Sequence, residues 1–170
     1  FATDPANVYG NLGLRRTRGA EISIVARPTE SLRIVGGVVH YDASVEGEAV
    51  ELGRAGPRPL GSTPLFARLD LDYGFAAIPG LSAQLAIAHT GDIVASTAPY
   101  ADLGGEQLEV PAVTTIDAGL RFRWTAWGKP VALRLLAQNL TDERPLRVQG
   151  SNTFTLNGSR RFSLQLSADL

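Results

Sequence analysis

The sequence contains no cysteine, which excludes a disulfide framework, a thiolate metal site and a cysteine nucleophile. Neither sign of charge is in excess, since 16 Lys and Arg face 17 Asp and Glu, and nothing points to nucleic acid as a partner. Apolar runs stay below the roughly 18 residues of a transmembrane helix. No signal peptide is visible in residues 1–13, so an export signal is expected upstream. A role in a membrane would therefore depend on strands.

The dominant pattern is an alternation of apolar and polar residues with a period of two, which indicates β-strands. It is clearest near the C-terminus, where Phe162, Leu164 and Leu166 alternate with polar residues. The same pattern marks residues 20–27, 32–41, 65–75, 81–88, 114–124 and 131–138. The sequence thus predicts seven strands, with a further partial strand around Val8–Leu14.

The connections between these segments are alternately short and long. Tight turns are predicted at residues 28–31, 77–80 and 126–129, and long loops at 43–63, 92–111 and 140–157. Successive connections of antiparallel strands lie at opposite ends of a sheet, so the turns gather at one end and the loops at the other. This asymmetry is typical of outer-membrane barrels, whose strands have roughly 9–11 residues. A soluble sandwich also has one apolar face, but its strands usually have about five or six residues.

These observations predict an all-β fold, an antiparallel transmembrane β-barrel segment of about seven meandering strands with a periplasmic C-terminus. An aromatic girdle is expected beside the tight turns, formed by Tyr73, Phe75, Trp124 and Trp127. The apolar face is expected to contact lipid through Leu69, Leu71, Leu120, Phe122, Leu133, Leu135, Phe162, Leu164 and Leu166. The polar face is expected to line the lumen through Arg68, Asp70, Asp72, Asp117, Arg121, Arg123, Arg134 and Arg161.

The segment Leu32–Tyr41 leaves two alternatives open, because it is apolar on both faces around Gly36 and Gly37. A β-bulge at the glycine pair would swap the faces and send Val39 and Tyr41 outward. An unbulged strand would instead place these side chains inside, where its upper part packs against another element.

Several motifs resemble those near the end of TonB-dependent siderophore receptors, and they occur in the same order. They are Arg18–Ile22, Leu32–Gly37 after a proline turn, Thr63–Ala67, Gln138–Arg144 and Gly158–Leu164. The family usually ends in an aromatic residue, whereas this sequence ends in Leu170. The resemblance implies that residues 1–170 are the C-terminal part of a plugged barrel of 22 strands, from which the plug domain and earlier strands are absent.

The resemblance also implies a function and a set of partners. The function would be energy-coupled uptake of ferric siderophores across the bacterial outer membrane. The partners would be outer-membrane lipid, a ferric siderophore as cargo, and the TonB complex, reached only through the missing plug. The rival interpretations are a segment of a passive porin-like channel and a soluble all-β binding module.

No catalytic constellation, metal site or cofactor site is predicted, so the chain is not expected to be an enzyme. His40 and His89 lie on separate strands near loop ends and are interpreted as packing or interfacial residues. Ligand recognition is expected in the long loops, where binding residues concentrate. Ferric siderophores are bulky and often anionic, so the candidates are the Arg and aromatic loop residues Arg54, Arg58, Tyr100, Arg147 and Phe154.

Overall fold

The computed structural model describes residues 2–3, 9–10, 13–156 and 158–168. Within these ranges the strands in chain order are β1 (Ala2–Thr3), β2 (Tyr9–Gly10), β3 (Leu14–Ala26), β4 (Leu32–Glu46), β5 (Leu65–Gly74), β6 (Leu81–Thr90), β7 (Ile93–Tyr100), β8 (Glu106–Val110), β9 (Val113–Ala126), β10 (Lys129–Gln138), β11 (Leu146–Gly150), β12 (Thr153–Leu156) and β13 (Arg161–Ala168). A one-turn helix, α1, spans Glu48–Glu51, and a 3₁₀ turn spans Ala101–Leu103. No helix in the described ranges has the length and apolarity of a membrane span.

Seven strands form one antiparallel sheet, called here the main sheet, in the order β3-β4-β5-β6-β9-β10-β13. Each strand pairs with the next main-sheet strand along the chain, so the sheet is an up-and-down meander. The seven predicted strands and the antiparallel β fold are confirmed. Of the predicted partial strand, Tyr9–Gly10 pairs with Ala2–Thr3 and Leu14 begins β3. Val8 and residues 11–12 lie outside the described residues, as does Leu170.

The strand register keeps the apolar face continuous across the main sheet. Residues paired across antiparallel strands share a face, and one row runs through Leu120, Leu135 and Leu164. A second row joins Ile34, Leu71 and Leu85. All nine residues of the predicted apolar face lie on this side of the sheet: Leu69, Leu71, Leu120, Phe122, Leu133, Leu135, Phe162, Leu164 and Leu166.

The bulge alternative for β4 is wrong, because the pairing of β4 with β5 runs without a register shift from Leu32 to His40. Val38 and His40 therefore share the apolar face, and Val39 and Tyr41 lie on the polar face. The bulge alternative concerned the Gly36-Gly37 pair, but Gly36 has a packing role instead. A Cβ at Gly36 would lie 3.3 Å from the Leu69 side chain on the neighbouring strand.

Two strand ends extend beyond the alternating segments. β3 begins at Leu14 and β4 ends at Glu46, because residues 14–19 pair with residues 41–46. Backbone ladder bonds do not depend on side-chain polarity, so pairing continues past the apolar part of the face. The first long loop is therefore residues 47–64, and the prediction that it begins at residue 43 is wrong.

The tight turns lie at one end of the main sheet, as predicted. The shortest is the two-residue connection Trp127–Gly128, in which both residues have positive φ, 50° and 75°. This is the combination that the type I′ turn of two-residue hairpins requires. Aromatic pairs lie beside the turns: Tyr73 and Phe75 meet edge to face at 5.1 Å, and Phe122 stacks on Trp124 at 5.4 Å.

The second and third long loops contain hairpins that were not predicted. β7 pairs with β8 inside residues 91–112, and β11 pairs with β12 inside residues 139–160. The sequence did contain a signal for the β7–β8 hairpin. Runs of residues that favour β-strands lie on both sides of the Gly104-Gly105 pair. The loop end of the molecule therefore has secondary structure of its own, whereas the turn end has little beyond reversals of direction.

Candidate functional site

The polar face of the main sheet collects the charged side chains. The eight residues predicted there all lie on it: Arg68, Asp70, Asp72, Asp117, Arg121, Arg123, Arg134 and Arg161. They lie on β5, β9, β10 and β13, within five neighbouring strands of the main sheet that also include β6. Alternation with continuous register brings them together, although they are spread over 94 sequence positions, from 68 to 161.

A hydrogen-bonded chain of side chains spans four strands of this face, from β5 to β10. Gln84 Nε2 donates to Asp72 Oδ2 at 2.7 Å, and Arg134 donates to Gln84 Oε1 at 2.8 Å. The second bond crosses β9 at Gly119, where there is no side chain to obstruct it. Arg121 lies 3.7 Å from the same Asp72 oxygen. The partly exposed carboxylate of Asp72 is therefore paired with the Gln84 amide and the Arg121 guanidinium.

Towards the turn end, the polar face forms an open recess of about 780 Å³. Its charged lining consists of Arg27, Glu30, Asp72, Arg121 and Arg123, an excess of one positive charge. The Nε of Arg121 and the Oγ of Ser82 are buried there without a hydrogen-bond partner among the described residues. The recess is therefore lined by charged side chains of both signs.

Two further arginines of the polar face bond to nearby side chains. Arg68 binds Asp70 through two bonds of 2.7 Å, a bidentate arrangement, and Arg161 donates to Gln138 Oε1 at 2.7 and 3.1 Å. Exposed pairs of this kind contribute about 1 kcal/mol or less each. They describe a solvated wall rather than a catalytic pair.

The loop half of the polar face carries an apolar patch that the sequence reading did not identify. Val39 pairs with Phe66, which is 43% exposed, and Tyr41 lies two residues further along β4. Tyr41 pairs with Gly19, and a Cβ there would lie 2.6 Å from the Tyr41 Cβ. The signal was present in the two-faced character of β4 and in Phe66, an apolar residue at a polar-face position of β5.

The two histidines lie on the opposite, apolar face near the loop end. His89 Nδ1 is 2.9 Å from Thr114 Oγ1, and His40 pairs with Leu65. Strand β5 separates their strands. Among the described residues, no group of three or more His, Asp or Glu side chains is arranged to hold a metal ion.

The five candidate ligand-binding residues lie in three different loops. Arg54 follows α1 and is exposed, and Tyr100 ends β7 at 38% exposure. Arg58 forms an ion pair with Glu109, and its backbone N–H donates to Gln107 Oε1. In the β11–β12 hairpin, Arg147 pairs with Thr155 and Phe154 with Val148. Arg147 and Phe154 therefore occupy opposite faces of that hairpin.

The base of the third loop is organised by Asn139. This residue belongs to the motif Gln138–Arg144, and the sequence alone indicated no role of its own for it. Its side-chain amide donates to the Glu143 carbonyl at 2.7 Å and accepts from the Glu143 N–H at 3.2 Å. Its own N–H donates to Asp117 Oδ1 at 2.7 Å. Asn139 has φ 53°, a left-handed conformation that Asn tolerates well.

A second contact fixes the other end of the third loop. The Arg160 N–H donates to Asp142 Oδ1 at 3.0 Å, and the Arg160 guanidinium lies 3.7 Å from Oδ2. The backbone bond, followed by the charge of Arg160, holds the pKa of Asp142 below its ordinary value of 3.8. This contact is therefore fully formed above that pH and is lost as the pH falls through the lowered pKa.

A long antiparallel meander, with one apolar face, one charged face and connections of unequal length at its two ends, defines a wall segment of a membrane β-barrel. The family model for the TonB-dependent receptor-like β-barrel matches residues 1–140. The chain belongs to the TonB-dependent receptor β-barrel family, a family of outer-membrane transport receptors.

Individual relatives agree with this assignment. The chain is 27% identical over 169 residues to the ferrichrome receptor FcuA of Yersinia enterocolitica. This match covers 98% of the chain and 21% of that receptor. It superposes on the ferric preacinetobactin receptor BauA of Acinetobacter baumannii with a TM-score of 0.80 and 22% identity. That match covers 99% of the chain and 25% of BauA.

A further structural match is the siderophore receptor PiuA of A. baumannii, with a TM-score of 0.76 and 19% identity. It covers 96% of the chain and 23% of PiuA. The chain thus spans about a fifth of the length of the curated relative and about a quarter of the solved receptors. At these identities, the structural matches establish the fold.

Proposed function

We propose that the chain is the C-terminal part of the barrel of an outer-membrane receptor for energy-coupled uptake of ferric siderophores. The observation that carries the proposal is the apolar face, continuous over seven strands, with tight turns at one end of the sheet and long loops at the other. The cargo is supported by relatives described as receptors for ferrichrome and for ferric preacinetobactin. The plug domain and the earlier strands belong to other parts of the whole receptor.

In this proposal the apolar face contacts outer-membrane lipid. On β9 the apolar face runs from Trp124 near the turn end to Thr114 near the loop end, ten residue steps apart. At about 3.4 Å per residue and a tilt of about 45°, this spans about 24 Å, close to the roughly 25 Å apolar band of outer-membrane barrels. Short turns are periplasmic in such barrels, so the turn end and the C-terminus are assigned to the periplasm.

The polar face is assigned to the lumen. Its charged network and the recess near Arg121 contact water and the plug domain, and the apolar patch at Val39 and Phe66 adds apolar contacts. The TonB complex acts on the plug, so it reaches this chain only indirectly. No catalytic step and no cofactor are assigned to the chain.

The loop end is assigned to the cell exterior, where the siderophore first binds. Arg54 and Tyr100 present exposed side chains suited to a bulky anion. Arg58 contributes less net charge, because Glu109 neutralises it. Arg147 and Phe154 lie on opposite faces of their hairpin, so a single ligand site contacts only one of them directly.

The test is uptake of radioactive iron by a strain that lacks its own receptors and expresses the full-length receptor. The probes are ferrichrome, ferric preacinetobactin and a ferric catecholate, each with and without a protonophore. We expect saturable uptake of at least one chelate, abolished by the protonophore.

Three results would contradict this proposal. Uptake that persists in the protonophore indicates a passive channel, and no uptake of any probe removes the siderophore assignment. Recovery of the receptor in buffer without detergent would support a soluble module instead.

A further inference from the structure

The most deeply buried side chains of the described residues lie at the loop end, not in the main sheet. Thr63, Val94, Ala95 and Ser96 are each at most 2% exposed. The main sheet has lipid or lumen on its two sides in the proposed function, so it buries little by itself. The loops, in contrast, enclose a small core of their own.

Strand β7 is the centre of this core, because it hydrogen-bonds to both flanking loops. From the first loop, Gly61 N–H donates to the Val94 carbonyl at 2.8 Å, and Gly56 N–H donates to the Thr97 carbonyl at 2.7 Å. Val94 N–H returns a bond of 2.9 Å to the Ser62 carbonyl.

The third loop binds the same strand. Asn152 N–H donates to the Ala95 carbonyl at 3.0 Å, and Thr97 N–H donates to Ser151 Oγ at 3.0 Å. These contacts fall where the pairing of β7 with β8 is interrupted between Val94 and Pro99. The interruption leaves backbone groups of β7 free to bind the neighbouring loops.

Gln107 fills the gap that the interruption creates, and it is only 4% exposed. Its Nε2 donates to the Ser96 carbonyl at 2.8 Å and to the Arg58 carbonyl at 2.9 Å. Its Oε1 accepts from the Arg58 N–H at 3.0 Å. A Cβ at Gly56 would lie 2.1 Å from the Gln107 Cδ, so the first loop approaches this amide as closely as glycine allows.

We propose that the first loop (residues 47–64), the second loop (91–112) and the third loop (139–160) form one rigid cap, with Gln107 as its positioning residue. Separating the first loop from the second would break both bonds between Gln107 and the Arg58 backbone. The largely buried Gln107 amide would then lose partners, and leaving buried polar groups without hydrogen bonds is costly. The three loops therefore open, shift or stay closed together.

The cap has a consequence that rests on the proposed function. If the loops form the outer surface of a siderophore receptor, their binding surface is preformed before the ligand arrives. The ligand then enters between this cap and the rest of the barrel rim, not between the three loops.

The test is hydrogen–deuterium exchange of the full-length receptor in detergent micelles, followed by mass spectrometry of peptides from the three loops. Gln107→Ala is compared with Gln149→Ala, which removes an exposed glutamine bonded only to Thr155 within the third loop. In Gln107→Ala we expect about 10- to 100-fold faster exchange in residues 56–61 and also in residues 150–154, which Gln107 does not touch. Gln149→Ala should leave residues 56–61 unchanged.

Two more variants separate a loosened cap from a misfolded one. Gly56→Ala displaces Gln107 from the other side and should accelerate the same two peptides. Ser151→Ala removes one bond between the third loop and β7. It should accelerate residues 56–61 as well as residues 150–154, because the loops open together. Acceleration confined to residues 56–61 in both Gln107→Ala and Gly56→Ala would overturn the single-body proposal.

This measurement needs no ligand, so it is independent of the cargo assignment. Binding of ferrichrome to the same preparations is measured separately. Coupled exchange without any siderophore uptake would retain the cap and remove the proposed function. Uncoupled exchange with normal uptake would remove the cap and retain the proposed function.

Discussion

At the scale of single residues, a side chain's environment in this molecule is set by the parity of its position along a strand. Leu164 and Ser163 are neighbours in sequence, but Leu164 pairs with Leu135 on the apolar face and Ser163 with Leu136 on the polar face. Leu164 is 69% exposed although it belongs to the apolar face. Such exposure is costly in water and favourable in lipid.

The first prediction compares arginine at these two adjacent positions in the full-length receptor. Leu164→Arg should lower the free energy of unfolding by about 2–4 kcal/mol, because in the proposed orientation it places a charge on the lipid face near the membrane midplane. Ser163→Arg points into the lumen and should cost much less. The measurement is urea-dependent folding into lipid vesicles, and equal losses for the two variants would contradict the assigned faces.

Residue positions on the faces were largely predictable, whereas residues that act through contacts were not. Alternation alone assigned Leu120 and Arg121 to opposite faces, and the register agrees. Gln107 could not be identified, because its role depends on Arg58 and Ser96 meeting it from distant loop positions. No local pattern in the sequence encodes that meeting.

At the scale of elements, the turns differ in how strictly they require glycine. Gly80 has φ 88°, and a Cβ there would lie 2.0 Å from the Arg123 carbonyl of β9. Gly128 has φ 75° with no atom within 4 Å of its Cβ position. Gly80 therefore combines a backbone requirement with a steric one, and Gly128 has only the first.

The second prediction follows from this contrast. Gly128→Ala should cost about 1–2 kcal/mol, the penalty for a left-handed conformation in a residue with a Cβ. Gly80→Ala should cost clearly more, because the turn must also move away from β9. Urea unfolding of the two variants in vesicles provides the comparison, and a Gly80→Ala cost no larger than that of Gly128→Ala would refute it.

The third prediction concerns the base of the third loop. Asn139→Ala removes the amide that bonds to Glu143 and Gly158 and places alanine at φ 53°. Loss of these buried bonds costs about 1–3 kcal/mol, so protease cleavage within residues 144–156 should accelerate. Asn139→Gly relieves only the backbone strain and should be intermediate. If Asn139→Gly behaves as wild type, the side-chain bonds do not hold the loop.

The strands and turns were predictable because each is a local pattern, a period of two interrupted by Gly and Pro. The extra length of β3 and β4 was not predictable, because residues 14–19 lack the alternation and are held by pairing alone. The hairpins inside the long loops were also missed. Their strands are short and their pairing is interrupted by register shifts, so the local pattern that marks them is weak.

At the scale of the whole molecule, the main sheet has two unpaired edges among the described residues. β13 pairs only with β10, and β3 pairs only with β4. Unpaired edges are costly in lipid, since backbone groups there have no water to bind. In the whole receptor these edges are expected to pair with other strands, consistent with relatives of which this chain covers a fifth to a quarter.

The central claim is that one face of the main sheet contacts lipid and the other does not. Because the chain has no cysteine, single cysteines with a fluorescent label can be placed along β13 in the full-length receptor. Brominated lipids in the surrounding vesicle should quench labels at Phe162, Leu164 and Leu166 strongly. Labels at Ser163, Gln165 and Ser167 should be quenched weakly. Quenching that is uniform along the strand, or stronger at the second set, would contradict the account.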